Sequence, residues 1–328
     1  MEQDRDTSAR PPAPHIVVLG SLNMDLVLRV ATAPVAGETC VGRSISAVPG
    51  GKGANQAVSC ARQGARVLMI GCVGDDDHGR AMRDALARDG IDTSALRTDT
   101  TLPTGTALIL VEDNGQNRIV IIGGANGGLQ LDASELRAQL AGAAFLVTQF
   151  ESPMAQVELA IMAAHEAGCP VLLNPSPVQP IAEALWPMID TLVLNEVEAH
   201  ALTGLSADAP EQAAAAGRAL HARGVRRVVV TLGAQGAVAI DAAGERHHPA
   251  PAVRAVDTTA AGDTFLGALA TELASGASLD DAVRQGIRAG ALCVQQAGAQ
   301  PSIPRREAVL RSAPLPHLSL LPSDWTRP

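Results

Sequence analysis

Along the chain, short runs of β-branched and aliphatic residues alternate with longer, Ala-rich stretches whose apolar positions recur at helical spacing. Residues 15–20 precede a helical pattern over 53–63, 67–71 precede 79–89, and 145–148 precede 154–167. The rhythm continues with 171–173, with 192–194 before a helix from Asn195, and with 227–231 before the turn Gly233-Ala234-Gln235-Gly236. Such repetition predicts an α/β fold: a doubly wound, mostly parallel sheet flanked by helices. Two stretches, 26–41 and 105–122, break it. Both alternate in strand fashion without a helix, and the second carries the turn residues Glu112-Asp113-Asn114-Gly115. Neither can fold alone, so they are expected to pair into one small antiparallel lid on the main sheet.

The α/β pattern spans 15–311. Residues 1–14 are polar and end in prolines, and 312–328 carry four more prolines around scattered Leu, so both ends are expected to be disordered tails. In the 328 residues aromatics make up 2% and Tyr is absent, so the core must be built from Ala, Val, Leu and Ile. Asp and Glu outnumber Lys and Arg by 34 to 25, a net charge of -9, which argues against a broad grip on nucleic acid or an anionic membrane. A bound anion must therefore be held by local geometry. Cys40, Cys60, Cys72, Cys169 and Cys293 are odd in number, scattered and without a C-x-x-C pair, which suggests no disulfide framework and no zinc site. With no apolar run approaching the roughly 20 residues of a bilayer crossing, the expected home is a reducing cytoplasm.

Two small-residue clusters run into helical patterns. In Pro49-Gly50-Gly51-Lys52-Gly53-Ala54-Asn55-Gln56-Ala57 the glycines permit close backbone approach to a ligand, or simply make a tight turn. It is neither a Walker A loop, since Gly53 stands where Ser or Thr would bind Mg²⁺, nor a G-x-G-x-x-G dinucleotide loop. In Asp257-Thr258-Thr259-Ala260-Ala261-Gly262-Asp263, small residues leave first-turn N–H groups uncovered, an anion hole with a carboxylate beside it. Asp263 reads either as the base of a phosphoryl transfer or as a helix cap. Asn23, Asp25, Glu151, Asn195 and Glu198 fall at strand ends, where α/β folds bind ligands and where caps and turns also occur. His247-His248 is expected in a solvated loop.

These residues, with Gly20-Ser21-Leu22-Asn23-Met24-Asp25, Glu151-Ser152-Pro153, Asn195-Glu196-Val197-Glu198, Thr231-Leu232-Gly233-Ala234-Gln235-Gly236 and Gly298-Ala299-Gln300-Pro301-Ser302, closely resemble the PfkB family of carbohydrate kinases. The blocks stand in the family's order from about residue 15 to 311, and the Gly-Gly-Lys-Gly-Ala-Asn-Gln block is typical of its ribose-phosphorylating branch. The resemblance implies sugar binding by Asn23, Met24, Asp25, Gly51, Lys52, Gly53, Ala54, Asn55 and Glu151, with Asp263 as catalytic base. It implies an ATP site at Asn195, Thr231, Leu232, Gly233, Ala234, Gln235, Gly236, Ala261, Gly262 and Asp263, and Glu198 acting on Mg²⁺ through water. A monovalent cation, K⁺, is matched by Asp257, Thr259, Cys293, Gln296, Gly298 and Ser302, mostly through main-chain carbonyls. Where the branch places Asn or His against the nucleotide base, this chain has Ile287.

The implied activity is ATP-dependent phosphorylation of D-ribose at its 5-hydroxyl, with a homodimer formed through the lid. Within the family, the alternative is a kinase of another sugar or of a nucleoside. Asn23, Asp25 and Asn55 favour a small polyhydroxy sugar, and the scarcity of aromatics removes the usual base-stacking platform. A non-catalytic sugar-binding regulator is opposed by Asp263 behind Ala-Ala-Gly, and a nicotinamide dehydrogenase by the missing dinucleotide loop.

Overall fold

Ile16 and Val18 turn to one face of the first strand, β1 (His15–Leu19), while Val17 and Leu19 turn to the other, and all four are fully buried. A strand buried on both faces needs helices on both sides. The computed structural model describes residues 13–114, 116–312 and 319–320. After β1 come β2 (Asn23–Val30), β3 (Ser44–Gly50), α1 (Lys52–Arg62), β4 (Arg66–Gly74), α2 (Asp77–Arg88), β5 (Leu96–Asp99), β6 (Gly105–Glu112) and β7 (Asn117–Ile122). The middle of the chain forms α3 (Ala133–Leu140), β8 (Phe145–Gln149), α4 (Met154–Glu166), β9 (Val171–Asn174), β10 (Thr191–Asn195), α5 (Glu196–Thr203) and α6 (Pro210–His221). Then follow β11 (Arg227–Thr231), β12 (Ala237–Asp241), β13 (Gly244–His248), α7 (Ala261–Ala274), α8 (Leu279–Cys293), α9 (Arg306–Arg311) and β14 (Ser319–Leu320).

The main sheet has ten strands in the order β14-β13-β12-β11-β10-β9-β8-β1-β4-β5. Every pairing from β11 to β5 is parallel, and β12, β13 and β14 add antiparallel. The doubly wound α/β class read from the sequence is the observed one. Val17, Leu19, Leu146 and Leu194 pack with Leu136 of α3, Ile161 of α4, Ala199 of α5 and Leu220 of α6. On the opposite face, Ile16, Val18, Met69 and Val147 pack with Val58 of α1, Leu86 of α2, Leu269 of α7 and Val283 of α8. Close approach of α1 to α7 rests on Gly267, where a Cβ would lie 2.4 Å from the Cβ of Ser59. That contact brings the starts of both helices to the carboxyl ends of the parallel strands, the edge where such folds bind ligands.

The lid differs from the expectation. It is a four-stranded sheet in the order β3-β2-β6-β7, and its central pair, β2 with β6, is parallel. Residues 31–43 contain no strand, and 44–50 supply one instead. Ser44–Gly50 alternates only over Ser44-Ile45-Ser46-Ala47, all four of them exposed, as befits an edge strand, a place that also tolerates Pro49. Gly115 of the expected turn, residues 1–12, and most of 313–328 lie outside the described residues. Ser319–Leu320, within the segment expected to be a tail, is a strand paired with Arg246–His247. His247-His248 is not a solvated loop either. It ends β13, and His248, 2% exposed, places Nε2 3.1 Å from Asp280 Oδ1.

Candidate active site

Most pieces of the site sit where a strand or helix begins or ends. Asn23 and Asp25 occupy alternate positions at the start of β2, so they share a face, and both are buried. Met24 between them points the other way into the core, and strand alternation thus removes it from the implied sugar contacts. Opposite them α1 begins at Gly51, whose φ of 89° is open to glycine and whose Cβ would lie 2.7 Å from the Asn23 nitrogen. Gly53 packs on Gly20 in the same way, and Ala54 is wholly in the core. The implied contributions of Gly53 and Ala54 therefore reduce to letting α1 lie against the β1–β2 turn.

Glu151 accepts from the Ser21 hydroxyl and, at 3.3 Å, from the Lys52 backbone N–H. Asn55 Nδ2 donates to Asp263 Oδ2 at 3.0 Å, while Asn55 Oδ1 is buried without a partner among the described residues. A hydroxyl donor would satisfy that oxygen. The Asp25 carboxyl is pushed up to about 7, first by burial and then by the charges of Glu151 and Asp263. Burial by itself would lower the Lys52 ammonium, but Asp263, Glu151 and Glu198 outweigh it and hold the group above its ordinary value.

Asp263 is not the cap of α7. The N-cap is Ala260, held at φ 59°, and Asp263 stands in the first turn, 8% exposed. Its two oxygens accept from side chains of α1: Oδ2 from Asn55 and Oδ1 from Gln56 Nε2 at 2.9 Å. The Ala261 N–H is taken by the Thr258 carbonyl at 3.2 Å, so Gly262 and Asp263 carry the first-turn N–H groups suited to an anion. A cavity of about 240 Å³ opens there, bounded by Lys52, Asn195, Glu198, Thr231, Gly262 and Asp263. Asn195 and Glu198 form a reciprocal capping box at the start of α5: Asn195 Oδ1 accepts from the Glu198 N–H at 2.8 Å and Glu198 Oε2 from the Asn195 N–H at 3.0 Å. The box fixes the Glu198 carboxylate at the cavity wall.

A larger groove of about 580 Å³ adjoins it, lined by Thr231, Gly233, Ala234 and Gly236, by residues 250–253, 255 and 258, and by Ala261, Gly262 and Phe265. Its remaining wall is Ile287, Gly290, Ala291 and Val294 of and just beyond α8. Leu232 and Gln235, implied with their neighbours, are not part of it. Leu232 is buried in the opposite core, and Gln235 Nε2 donates to the Asp208 carbonyl at 3.0 Å.

Asp257 ties two loops together, accepting from the Thr259 N–H at 2.9 Å and the Gly298 N–H at 2.8 Å. Burial would raise its carboxyl, but the hydrogen bonds from Thr259 and Gly298 hold it below the ordinary value. Cys293 Sγ lies 3.0 Å from Ser302 Oγ and 3.7 Å from the Thr259 carbonyl, so these implied cation residues do converge. The Gln296 side chain is exposed, and its N–H occupies the Cys293 carbonyl. Among the described residues no three His, Cys, Asp or Glu side chains cluster as metal ligands.

Residues 13–306 match the family described as pfkB family carbohydrate kinase. The chain belongs to the pfkB carbohydrate kinases. It is 41% identical over 296 residues to the ribokinase of Haemophilus influenzae, covering 90% of this chain and 97% of that protein. It is 41% identical over 302 residues to the ribokinase of Schizosaccharomyces pombe, covering 88% and 95%. The structure of Arabidopsis thaliana ribokinase complexed with ribose and ATP superposes with a TM-score of 0.85 at 34% identity, covering 92% of this chain and 98% of that one. For this pfkB kinase the sequence reading passed over four buried or half-buried amides, Gln56, Asn126, Gln149 and Asn174. Gln56 stood inside a quoted motif, and Gln149 and Asn174 close parallel strands.

Proposed function

We propose that the chain transfers the γ-phosphoryl group of ATP to the 5-hydroxyl of D-ribose. The observation that carries this is Asp263, which is hydrogen-bonded to Asn55 of a polar cluster (Asn23, Asp25, Asn55, Glu151) and lines the smaller cavity that adjoins the nucleotide-sized groove at the start of α7. Ribose offers a hydroxyl to each of those polar groups, including the unpartnered Asn55 Oδ1. In the reaction the 5-oxygen attacks the γ-phosphorus, the bond to the β,γ-bridging oxygen breaks, ADP leaves, and the hydroxyl proton passes to the Asp263 carboxylate. The N–H groups of Gly262 and Asp263 and the Lys52 ammonium lie where charge develops on the transferred group.

Glu198, fixed by its capping box, fits a role in holding Mg²⁺ through water; the ion neutralises phosphate charge when bound. The Asp257, Thr259, Cys293, Gln296, Gly298 and Ser302 region fits K⁺, whose loose shell suits carbonyl ligands. An apolar wall that includes Ile287 fits a purine held by contact and backbone groups. On β7, Ile119, Val120, Ile121 and Ile122 are each half exposed or more, an apolar surface suited to the lid of a second copy. All five cysteines are free, four of them buried, which suits a reducing cytoplasm.

The test is ADP release over a panel of ribose, 2-deoxyribose, hexoses and nucleosides, with and without K⁺. Ribose is expected to give the highest kcat/KM; preference for a nucleoside would overturn the reading.

A further inference from the structure

We infer that Gln56 is a positioning residue for the Asp263 carboxylate, held in its donating orientation by Gln149; this rests on the proposed role of Asp263 as proton acceptor. Gln56 is fully buried on α1. Its Nε2 lies 2.9 Å from Asp263 Oδ1 and 3.3 Å from Asn174 Oδ1.

The direction of this amide is forced. A carboxylate oxygen only accepts, and Asn174 spends its own Nδ2 on the Val193 carbonyl at 3.0 Å, turning its oxygen toward Gln56. Gln56 must therefore present NH₂ to both and its Oε1 to the other side. There Gln149 Nε2 donates to it at 2.6 Å. Having given its NH₂, Gln149 keeps an Oε1 that is buried with no partner among the described residues. It has room only because residue 20 is glycine: a Cβ there would lie 2.1 Å from that oxygen.

A buried amide oxygen without a partner weakens the fold. The chain carries that loss at the far end of a short relay whose near end is the Asp263 carboxylate. With Asn55 on Oδ2 and Gln56 on Oδ1, the carboxylate is clamped at both oxygens and cannot rotate about its last bond. Asn55 is placed to serve the sugar as well. Gln56, wholly buried, touches no substrate and makes its shorter hydrogen bond to Asp263, so its loss should strike turnover and spare binding.

The experiment compares the full chain with Gln56→Met, Gln149→Met, the double variant, and Asp263→Asn as reference. It measures kcat, ATP KM, ribose affinity by calorimetry, and Tm. Gln56→Met is expected to lower kcat at least about tenfold while ribose Kd and ATP KM stay within about threefold. Gln149→Met is expected to lower kcat about threefold with Tm equal to or modestly below the parent, since it removes one orphaned oxygen but leaves Gln56 Oε1 without its donor. The double variant should match Gln56→Met within about twofold, because Gln149 acts through Gln56. A kcat for Gln56→Met near the parent's, alongside a strongly impaired Asp263→Asn, overturns the positioning role alone, as do losses that multiply in the double variant. Normal turnover in Asp263→Asn overturns the base and this inference together. Should Gln56→Met fail to fold, parent-like kcat in Gln149→Met decides against the relay.

Discussion

Asn126 Nδ2 donates to Asn23 Oδ1 at 2.8 Å, joining the first residue of β2 to a 3₁₀ turn (Gly124–Gly128) 103 residues away. The same side chain accepts from the Leu22 N–H at 2.9 Å and donates to the Leu22 carbonyl at 3.0 Å. It thus substitutes for sheet pairing where the chain leaves the main sheet for the lid. Asn126→Ala should leave buried groups of Leu22 unpaired, at about 1–3 kcal/mol each, and free the Asn23 amide to turn. A drop in Tm and a roughly tenfold rise in ribose KM are expected, the latter equal to about 1.4 kcal/mol. Unchanged values of both would show that the loop holds Asn23 by other means.

Asp263→Asn keeps the shape of the side chain and removes the proton acceptor. A base contributes about 10²–10⁴-fold, so kcat should fall at least a hundredfold while ribose affinity by calorimetry moves far less. A purely structural role, in tying α7 to α1, would give the reverse, a lowered Tm with normal turnover.

Asp25 should make ribose binding depend on pH. Its folded value of about 7 exceeds its ordinary 3.8, so between those values the native state binds the extra proton. Its contribution to stability is therefore full below about pH 4 and is lost as pH rises to about 7. A sugar hydroxyl donates to the carboxylate and favours the ionised form, so ribose binding near neutral pH should release a proton and tighten as pH rises. Calorimetry in two buffers of different ionisation enthalpy checks this. Asp25→Asn should abolish the difference, and buffer-independent heats in the parent would count against the shifted carboxyl.

K⁺ should raise kcat above Na⁺ at matched ionic strength. Asp257 already closes the 257–259 loop through the Thr259 N–H and ties it to the Gly298 N–H, one step from the N-cap of α7. An ion of the right size on the neighbouring carbonyls would steady Gly262 and Asp263. Equal rates in the two salts would remove the cation from the mechanism.

Ile121→Asp places a charge on the exposed face of β7 without touching the pocket or groove. The expected result is a shift from dimer to monomer in light scattering. A parent of monomeric mass would dismiss the lid contact.

The fold class was legible because a sheet buried on both faces writes itself as β-branched runs between Ala-rich helices, as in β1 and α1. The lid was legible only in part. Residues 105–122 show strand alternation, but in Ser44–Gly50 it lasts only four residues before Val48-Pro49-Gly50, since an edge strand on a half-exposed sheet buries little. Parallel pairing of β2 with β6 has no local signature at all. Asp263 stood out by its small-residue setting, yet base and cap remained equivalent readings until its partners on α1 were known. Met24, Leu232 and Gln235 followed their motif neighbours in the sequence reading, and the structure turns each away from its cavity.

What the order of residues settles here is local: where helices begin, as at Gly51 and Ala260, which runs must be buried, and which short polar side chains fall at strand ends. What it leaves open is which of those ends meet. Hydrogen bonds from Gln56 to Asp263, from Gln149 to Gln56 and from Asn126 to Asn23 span 207, 93 and 103 residues, and each depends on the packing of separate elements across one sheet. Amide donors carry no periodicity and no charge, so nothing in the linear pattern marks them. Their roles follow from burial, which makes every unpaired polar atom costly and so dictates which way each amide must face.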